Sequence, residues 1–292
     1  MKMDTESTPG TQSTGSTRGG SPSLFSSAVR VFDISVGEML WSRRTIFMAL
    51  VVGGPVVIAL AVRAALFLTG RVGRVDGVAM TGQAMFGMMI WFFYLRFTVP
   101  VLGVFYGTAL IADEVEDKTL TYLFTRPVRR GAVLLGKYLA YFAVTSLVVL
   151  PSVMIVWLLI APIGGTGLAV SFIPLLKDLA LLAIGLGAYG ALFAFIGAKF
   201  KRPLLTGLIF VFGWEQAALM IPGYLKKFTI AYYVQALVPH AMPQEGVMSL
   251  IQGLFRDTPS LPVSLLCLAI IWFGFLWLAA RTVERKEYVL EQ

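Results

Sequence analysis

Six stretches of apolar residues, each about twenty long, run through this 292-residue chain with short charged connections between them. That length decides the fold. At about 1.5 Å per residue, a helix of about twenty residues crosses a hydrocarbon core about 30 Å thick. Lipid offers the backbone no hydrogen-bond partners, so a lone crossing segment must satisfy its own N–H and C=O groups as a helix. The expected spans run from Thr45 to Leu68, Met88 to Ala112, Leu134 to Ile160, Leu176 to Ala198, Leu204 to Ile221 and Leu261 to Ala280. Gly53, Gly54, Pro55, Pro100 and Pro151 fall inside them, which is tolerated in lipid because neighbouring helices re-satisfy the freed backbone groups. Residue usage agrees: 57% hydrophobic, 14% charged and a mean hydropathy of +0.79, where a soluble domain carries about 25% charged residues. The expectation is an all-α polytopic membrane protein with six transmembrane helices.

The flanking segments differ in kind. Residues 1–23 are dominated by Ser, Thr, Gly and Pro and bury too little apolar surface to offset the entropy of ordering, so a disordered cytoplasmic tail is expected. No charged stretch leads there into an apolar core, so no cleavable signal peptide is expected. From Leu24 to Arg44, Phe25, Val29, Phe32, Val36 and Met39/Leu40 recur every three or four positions, largely away from Ser26, Arg30, Asp33 and Glu38. That spacing predicts an amphipathic helix on the membrane surface ending in Trp41, Arg43 and Arg44; a short soluble helix packed on a partner is the alternative. Residues 222–260 are apolar and aromatic but broken at Pro239 and Pro243, and read as short helices dipping into the outer leaflet. Residues 281–292 read as a second cytoplasmic tail. No internal repeat supports the inverted-repeat architecture of many secondary transporters.

Positive charge sets the orientation. With the N-terminus inside, the cytoplasm receives Arg30, Arg43, Arg44, Lys118, Arg126, Arg129, Arg130, Lys137, Lys199, Lys201, Arg202, Arg281, Arg285 and Lys286, fourteen in all. The other side receives seven: Arg63, Arg71, Arg74, Lys177, Lys226, Lys227 and Arg256. Both termini are therefore expected in the cytoplasm of a cell whose inner membrane holds the chain. The net charge of +8 is what this asymmetry requires, and nucleic acid is not an expected partner. A single cysteine, Cys267, and a single histidine, His240, exclude a disulfide framework and leave no set for a metal centre or a His-dependent catalytic triad. No catalytic, metal or cofactor-binding residue is assigned, and no cofactor is expected.

The cytoplasmic connection from Asp113 to Lys137 is the most charged stretch of the chain. It starts acidic (Asp113, Glu114, Glu116, Asp117), continues through an amphipathic turn or two (Leu120, Tyr122, Leu123, Phe124), breaks at Pro127 and leaves through Arg129, Arg130 and Lys137. Acidic residues complement a helix N-terminus. Apolar residues flanked by both charge signs also suit a docking helix for a partner protein. The run Glu114, Glu116, Thr119, Leu120, Leu123, Arg126, Pro127, Arg130, Leu135, Gly136 and Lys137 resembles, in order and spacing, the segment between the second and third spans of type-2 ABC transporter permeases, most of which are exporters. It departs from their pattern at Lys118, where Gly commonly precedes the Thr-Leu pair. The resemblance extends in topology over residues 24–280: an interfacial helix before the first span, six spans, and a membrane-dipping segment before the sixth.

The resemblance implies a half-transporter. Two permease chains, identical or related, form the pathway in that reading, and each takes mechanical input from a separate cytoplasmic ABC ATPase. The coupling residues it assigns are Glu114, Glu116, Thr119, Leu120, Leu123, Phe124, Arg126, Pro127 and Arg130. Gly131 to Lys137 fits the GxxxxGK spacing of a phosphate loop. Here Tyr138 follows where Ser or Thr is required, the intervening residues are apolar, and the segment enters a span, so ATP hydrolysis is expected on the partner and not on this chain.

Arg63 lies near an outer span end and can reach the interface, leaving Arg96 and Glu215 as the ionisable groups well inside apolar blocks. A charge at the bilayer centre costs roughly 2.5 to 3.5 kcal/mol on insertion scales, so neither is expected to face lipid. They are candidates for an intramembrane ion pair or for lining the pathway; a second span that starts late would instead let Arg96 snorkel outward. Gly103 and Gly107, and Gly187, Gly190 and Ala191, have the spacing of closely packed helices. The Met and aromatic cluster from Met85 to Phe93 reads as lipid-facing or interfacial bulk, with a greasy pathway lining as the other possibility. Three other classes stay open: a secondary transporter coupled to ions through Glu215 and Arg96, a membrane enzyme, disfavoured by the shortage of His, Cys and paired carboxylates, and a non-transporting assembly factor.

Overall fold

The computed structural model describes residues 24–40, 43–69, 74–75, 78–79, 81–111, 130–165, 167–221, 224–238 and 259–285. The described chain is helical apart from a two-residue antiparallel pair, Arg74–Val75 with Val78–Ala79. We label the helices α1 (Leu24–Leu40), α2 (Arg43–Thr69), α3 (Gly82–Ile111), α4 (Arg130–Ile160), α5 (Leu168–Lys199), α6 (Pro203–Met220), α7 (Ile230–Gln235) and α8 (Leu261–Arg285). Six of them, α2 to α6 and α8, are long and apolar enough to cross a membrane.

The expected amphipathic segment forms as α1 but ends earlier than its charge pattern implied. The helix stops at Leu40, and Arg43 and Arg44 open α2 instead. The Thr45 hydroxyl donates to the Met39 carbonyl at 2.6 Å, satisfying one of the C-terminal carbonyls that a helix end leaves open. The inward stripe is also rotated. Ser35 is buried and Val36 and Met39 pack on the core, while Val29 is 48% exposed. The neighbour that receives α1 is chiefly α4.

Two spans start earlier than their hydropathy suggested. Helix α3 begins at Gly82, where Thr81 is the N-cap and its side chain accepts from the Ala84 N–H at 3.3 Å. The Gly82 N–H donates to the Ile163 carbonyl at 2.9 Å, and a Cβ at Gly82 would run into the carbonyls of Ile160, Ala161 and Ile163. The turn that presents those carbonyls needs Gly164 and Gly165 at φ +83° and +82°, a left-handed conformation that glycine adopts without steric penalty. Helix α5 begins at Leu168 and runs through Pro174, so its first two turns come from a stretch that resembled loop.

Helix α5 is the hub, packing against α3, α4, α6 and α8. In their most apolar stretches 72% of α5 and 67% of α3 is buried inside the protein, against 28% of α2 and 17% of α8, so α3 and α5 form the core and α2 and α8 the rim. The exposed face is apolar, with Phe67 and Leu68 on α2 and Ile270 and Phe273 on α8, as a lipid-facing surface requires. Three segments widen to π-helix: Ile90–Thr98 and Gly103–Gly107 in α3, and Ile209–Glu215 in α6. Such widening is rare in helices and frequent at functional sites.

Between α6 and α8, Tyr224–Phe228 forms a 3₁₀ turn and α7 follows. Of residues 222–260, for which short membrane-dipping helices are expected, only 224–238 and 259–260 are described. Helix α7 is packed on α3, α5 and α8, and Pro239 and Pro243 lie outside the described residues.

Candidate functional site

The glycines of α3 set the site. A Cβ at Gly103 would stand 3.0 Å from the Cβ of Tyr189 and from Cδ2 of Phe193, and one at Gly107 would stand 2.8 Å from the Cβ of Phe193. Because both side chains are hydrogen, α3 and α5 approach closely, as small residues permit in membrane helices. Tyr189 is thereby fully buried, with its hydroxyl directed at α6. There it donates to Glu215, 2.7 and 2.8 Å from the two carboxylate oxygens.

Glu215 is 2% exposed and holds a second donor, the Ala231 N–H, at 3.1 Å from Oε1. Ala231 lies in the first turn of α7, where N–H groups have no partner within the helix. Thr229 caps that turn, its side chain accepting from the Tyr232 N–H at 3.3 Å. One carboxylate thus joins α5, α6 and the start of α7, and a buried charge of this kind is tolerated only when hydrogen-bonded in this way.

Arg96 lies fourteen residues into α3 from Gly82, about 20 Å at helical rise. The early start of α3 removes the outward-snorkelling alternative. The guanidinium donates to the Gln216 side-chain oxygen and lies over the Trp91 ring, 5.5 Å from its centroid, within cation–π range. Arg96 and Glu215 are close enough to interact electrostatically, yet among the described residues no direct ion pair joins them. The structure therefore brings the two expected charges to one level, through Gln216, without pairing them. Both occupy π-helical segments.

A third intramembrane charge escaped the sequence reading. With α5 starting at Leu168, Asp178 lies ten residues inside the helix and is 0% exposed. Starting the span at Leu176 had put Lys177 and Asp178 at its edge. The signal that could have found it is the apolar run from Leu168 to Ile173, which precedes Pro174.

Of the expected coupling residues, Glu114, Glu116, Thr119, Leu120, Leu123, Phe124, Arg126 and Pro127 lie outside the described residues, and Arg130 begins α4. Gly131 to Lys137 is helical, in the opening turns of α4, not in a loop after a strand. Just beyond it, the Tyr138 hydroxyl donates to the Gly187 carbonyl at 2.8 Å and the Tyr141 hydroxyl to the Leu186 carbonyl at 3.0 Å. Gly190 makes room for Tyr141, whose ring a Cβ at that position would overlap. The start of α4, at the exit of the 113–137 connection, is thus bonded to the same helix that carries Tyr189. Among the described residues no group of three His, Cys, Asp or Glu side chains is placed to hold a metal ion.

Six apolar helices around a hydrogen-bonded intramembrane carboxylate define a multi-pass membrane protein. Residues 78–287 match the family described as ABC-2 family transporter protein, and the chain belongs to that family. It is a permease component of an ABC transporter, the membrane part and not itself the catalytic one. No curated relative matches its sequence.

Proposed function

We propose that this permease is one half of an ATP-driven exporter in the cytoplasmic membrane, with both termini inside, paired with a second permease chain and driven by a separate ATPase subunit. The ATPase docks on Asp113 to Lys137 through Leu120, Leu123 and Phe124, with Glu114, Glu116, Thr119, Arg126, Pro127 and Arg130 setting register. The observation that carries this reading is the unbroken polar connection from that segment's exit into the bundle. Tyr138 and Tyr141 of α4 bond the backbone of α5, Tyr189 of α5 bonds Glu215 of α6, and Glu215 holds the Ala231 N–H of α7. Closure of the ATPase pair pushes on α4, and α5, α6 and α7 follow as a unit, switching the pathway between inward and outward access.

The test is co-purification of the ATPase with wild type and with Leu123→Ala/Phe124→Ala, together with the ATP hydrolysis rate of the complex in lipid nanodiscs. Truncating two apolar anchors should lower ATPase recovery by about tenfold or more and remove the permease's effect on hydrolysis, while the spans stay inserted. Unchanged recovery and hydrolysis would remove this segment from the mechanism. Transport that needs no ATPase would favour ion coupling through Arg96 and Glu215 instead.

A further inference from the structure

Arg96 presents a charge at mid-membrane that its surroundings hold in place without neutralising by contact. Among the described residues its one hydrogen-bond partner is the neutral Gln216 side chain, and the Trp91 ring flanks it. It is only partly buried, so it is not enclosed as Glu215 is. The oppositely charged Glu215 is committed to Tyr189 and Ala231. An identical second copy offers no remedy from the described spans. The carboxylates deep inside them are Asp178 and Glu215, exposed by 0% and 2%, and neither is available to a neighbour; Glu284, which is exposed, sits one residue from the end of α8 and far from the mid-helix level of Arg96.

An apolar groove of about 1120 Å³ runs between α2 and α3, as large as the upper range of small-molecule pockets; Arg96 is not part of its lining, but its chain neighbour Phe97 is. Phe92, Phe93 and Phe97, from the turns of α3 that carry Arg96, form one wall, and Gly54 and Pro55 of α2 belong to the other. Thr69 is the one polar residue in the lining, and its hydroxyl donates to the Ala65 carbonyl at 2.8 Å. A guanidinium with donor edges to spare, held by an amide and an aromatic ring, matches the planar acceptors of an acid group. A long apolar trough matches an alkyl chain.

We propose that Arg96 and the adjoining groove form a binding site for an anionic amphiphile, a phosphate or carboxylate head on an alkyl chain, with the head on the guanidinium and the chain along Phe92, Phe93 and Phe97. This deepens the permease reading by naming the chemistry the membrane half accepts, and its test uses the permease without any ATPase, so failure of either reading is visible separately.

The permease in neutral detergent is titrated with lysophosphatidic acid and with lysophosphatidylcholine of the same chain length, and bound adducts are counted by native mass spectrometry. Wild type should prefer the acid by about tenfold, the effect of one charge-assisted hydrogen-bonded pair. Arg96→Gln should abolish the preference, and Arg96→Lys, which keeps the charge but not the planar fork, should retain part of it. Gly54→Leu should lower binding of both lipids while preserving the preference, since a Cβ there meets nothing within 4 Å and the side chain grows into the groove. Equal binding of the two lipids by wild type would overturn the proposal without recourse to any variant, as would a preference that survives Arg96→Gln. With the ATPase partner restored, stimulation of hydrolysis by lysophosphatidic acid identifies the ligand as cargo, and binding without stimulation identifies it as a resident lipid. Either outcome keeps the site.

Discussion

Glu215 and Arg96 sit at one level of neighbouring helices, since Arg96 bonds the residue that follows Glu215, and their surroundings are opposite. Glu215 is enclosed on α6 with two donors and three elements attached to it. Arg96, on α3, is only partly buried, with one neutral acceptor and an aromatic ring beside it. A charge whose hydrogen bonds are completed inside the fold serves the fold. One left partly exposed with donor capacity is available to something else. Intramembrane charges are functional candidates by default, but the two here divide that role between architecture and recognition.

The division is broken most directly at Glu215. Glu215→Ala leaves the Tyr189 hydroxyl and the Ala231 N–H buried without their acceptor, each at roughly 1–3 kcal/mol, so a loss of about 2–6 kcal/mol is expected. Glu215→Gln, which keeps an acceptor oxygen, should recover part of it. Denaturant titration in mixed micelles reads both, and an Ala variant as stable as wild type would show that α7 is held by packing alone.

Tyr189→Phe sharpens the same side with a smaller change. It removes one donor from Glu215 and preserves the ring and the Cβ that packs beside Gly103. Interhelical hydrogen bonds in membranes average about 0.6 kcal/mol and those to charged groups in proteins about 1.5–3, so a loss of about 1–2 kcal/mol is expected. In the Glu215→Ala background the Phe substitution should instead recover part of the loss, because it removes the hydroxyl left without an acceptor. Additive losses would mean that Tyr189 acts through its ring and not through the carboxylate.

The spans themselves were legible because lipid imposes a length and a composition that leave their mark in sequence, and the run from Glu114 to Lys137 carried the family resemblance. The ends of the spans were less so. Helix α3 starts at Gly82 because that glycine fits under the carbonyls of a distant turn, a contact no local pattern encodes. Helix α5 starts at Leu168 and passes through Pro174, and a span starting at Leu176 left Asp178 at its edge. The Met and aromatic cluster divided: Phe86 is buried in the core, while Met85, Met88 and Met89 line the groove with Phe92 and Phe93. Most opaque was the tie between Glu215 and Ala231, sixteen residues apart. It exists because the chain after α6 turns back against α5, which depends on tertiary packing and not on periodicity.

The smallest expected effect is at Arg96, and it tests the other half of the comparison. Removing the guanidinium forfeits a charge-assisted hydrogen bond to Gln216 and a cation–π contact with Trp91, worth roughly 1.5–3 and 0.5–1 kcal/mol. It also removes a charge from mid-membrane, whose placement costs roughly 2.5–3.5 kcal/mol on insertion scales. These opposing terms are of similar size, so Arg96→Gln should leave stability within about 1 kcal/mol of wild type. The same micelle titration applied to Glu215→Ala measures it. A loss as large as the one at Glu215 would make Arg96 a second structural anchor, and the distinction between a charge kept for the fold and a charge kept for a ligand would fall with it.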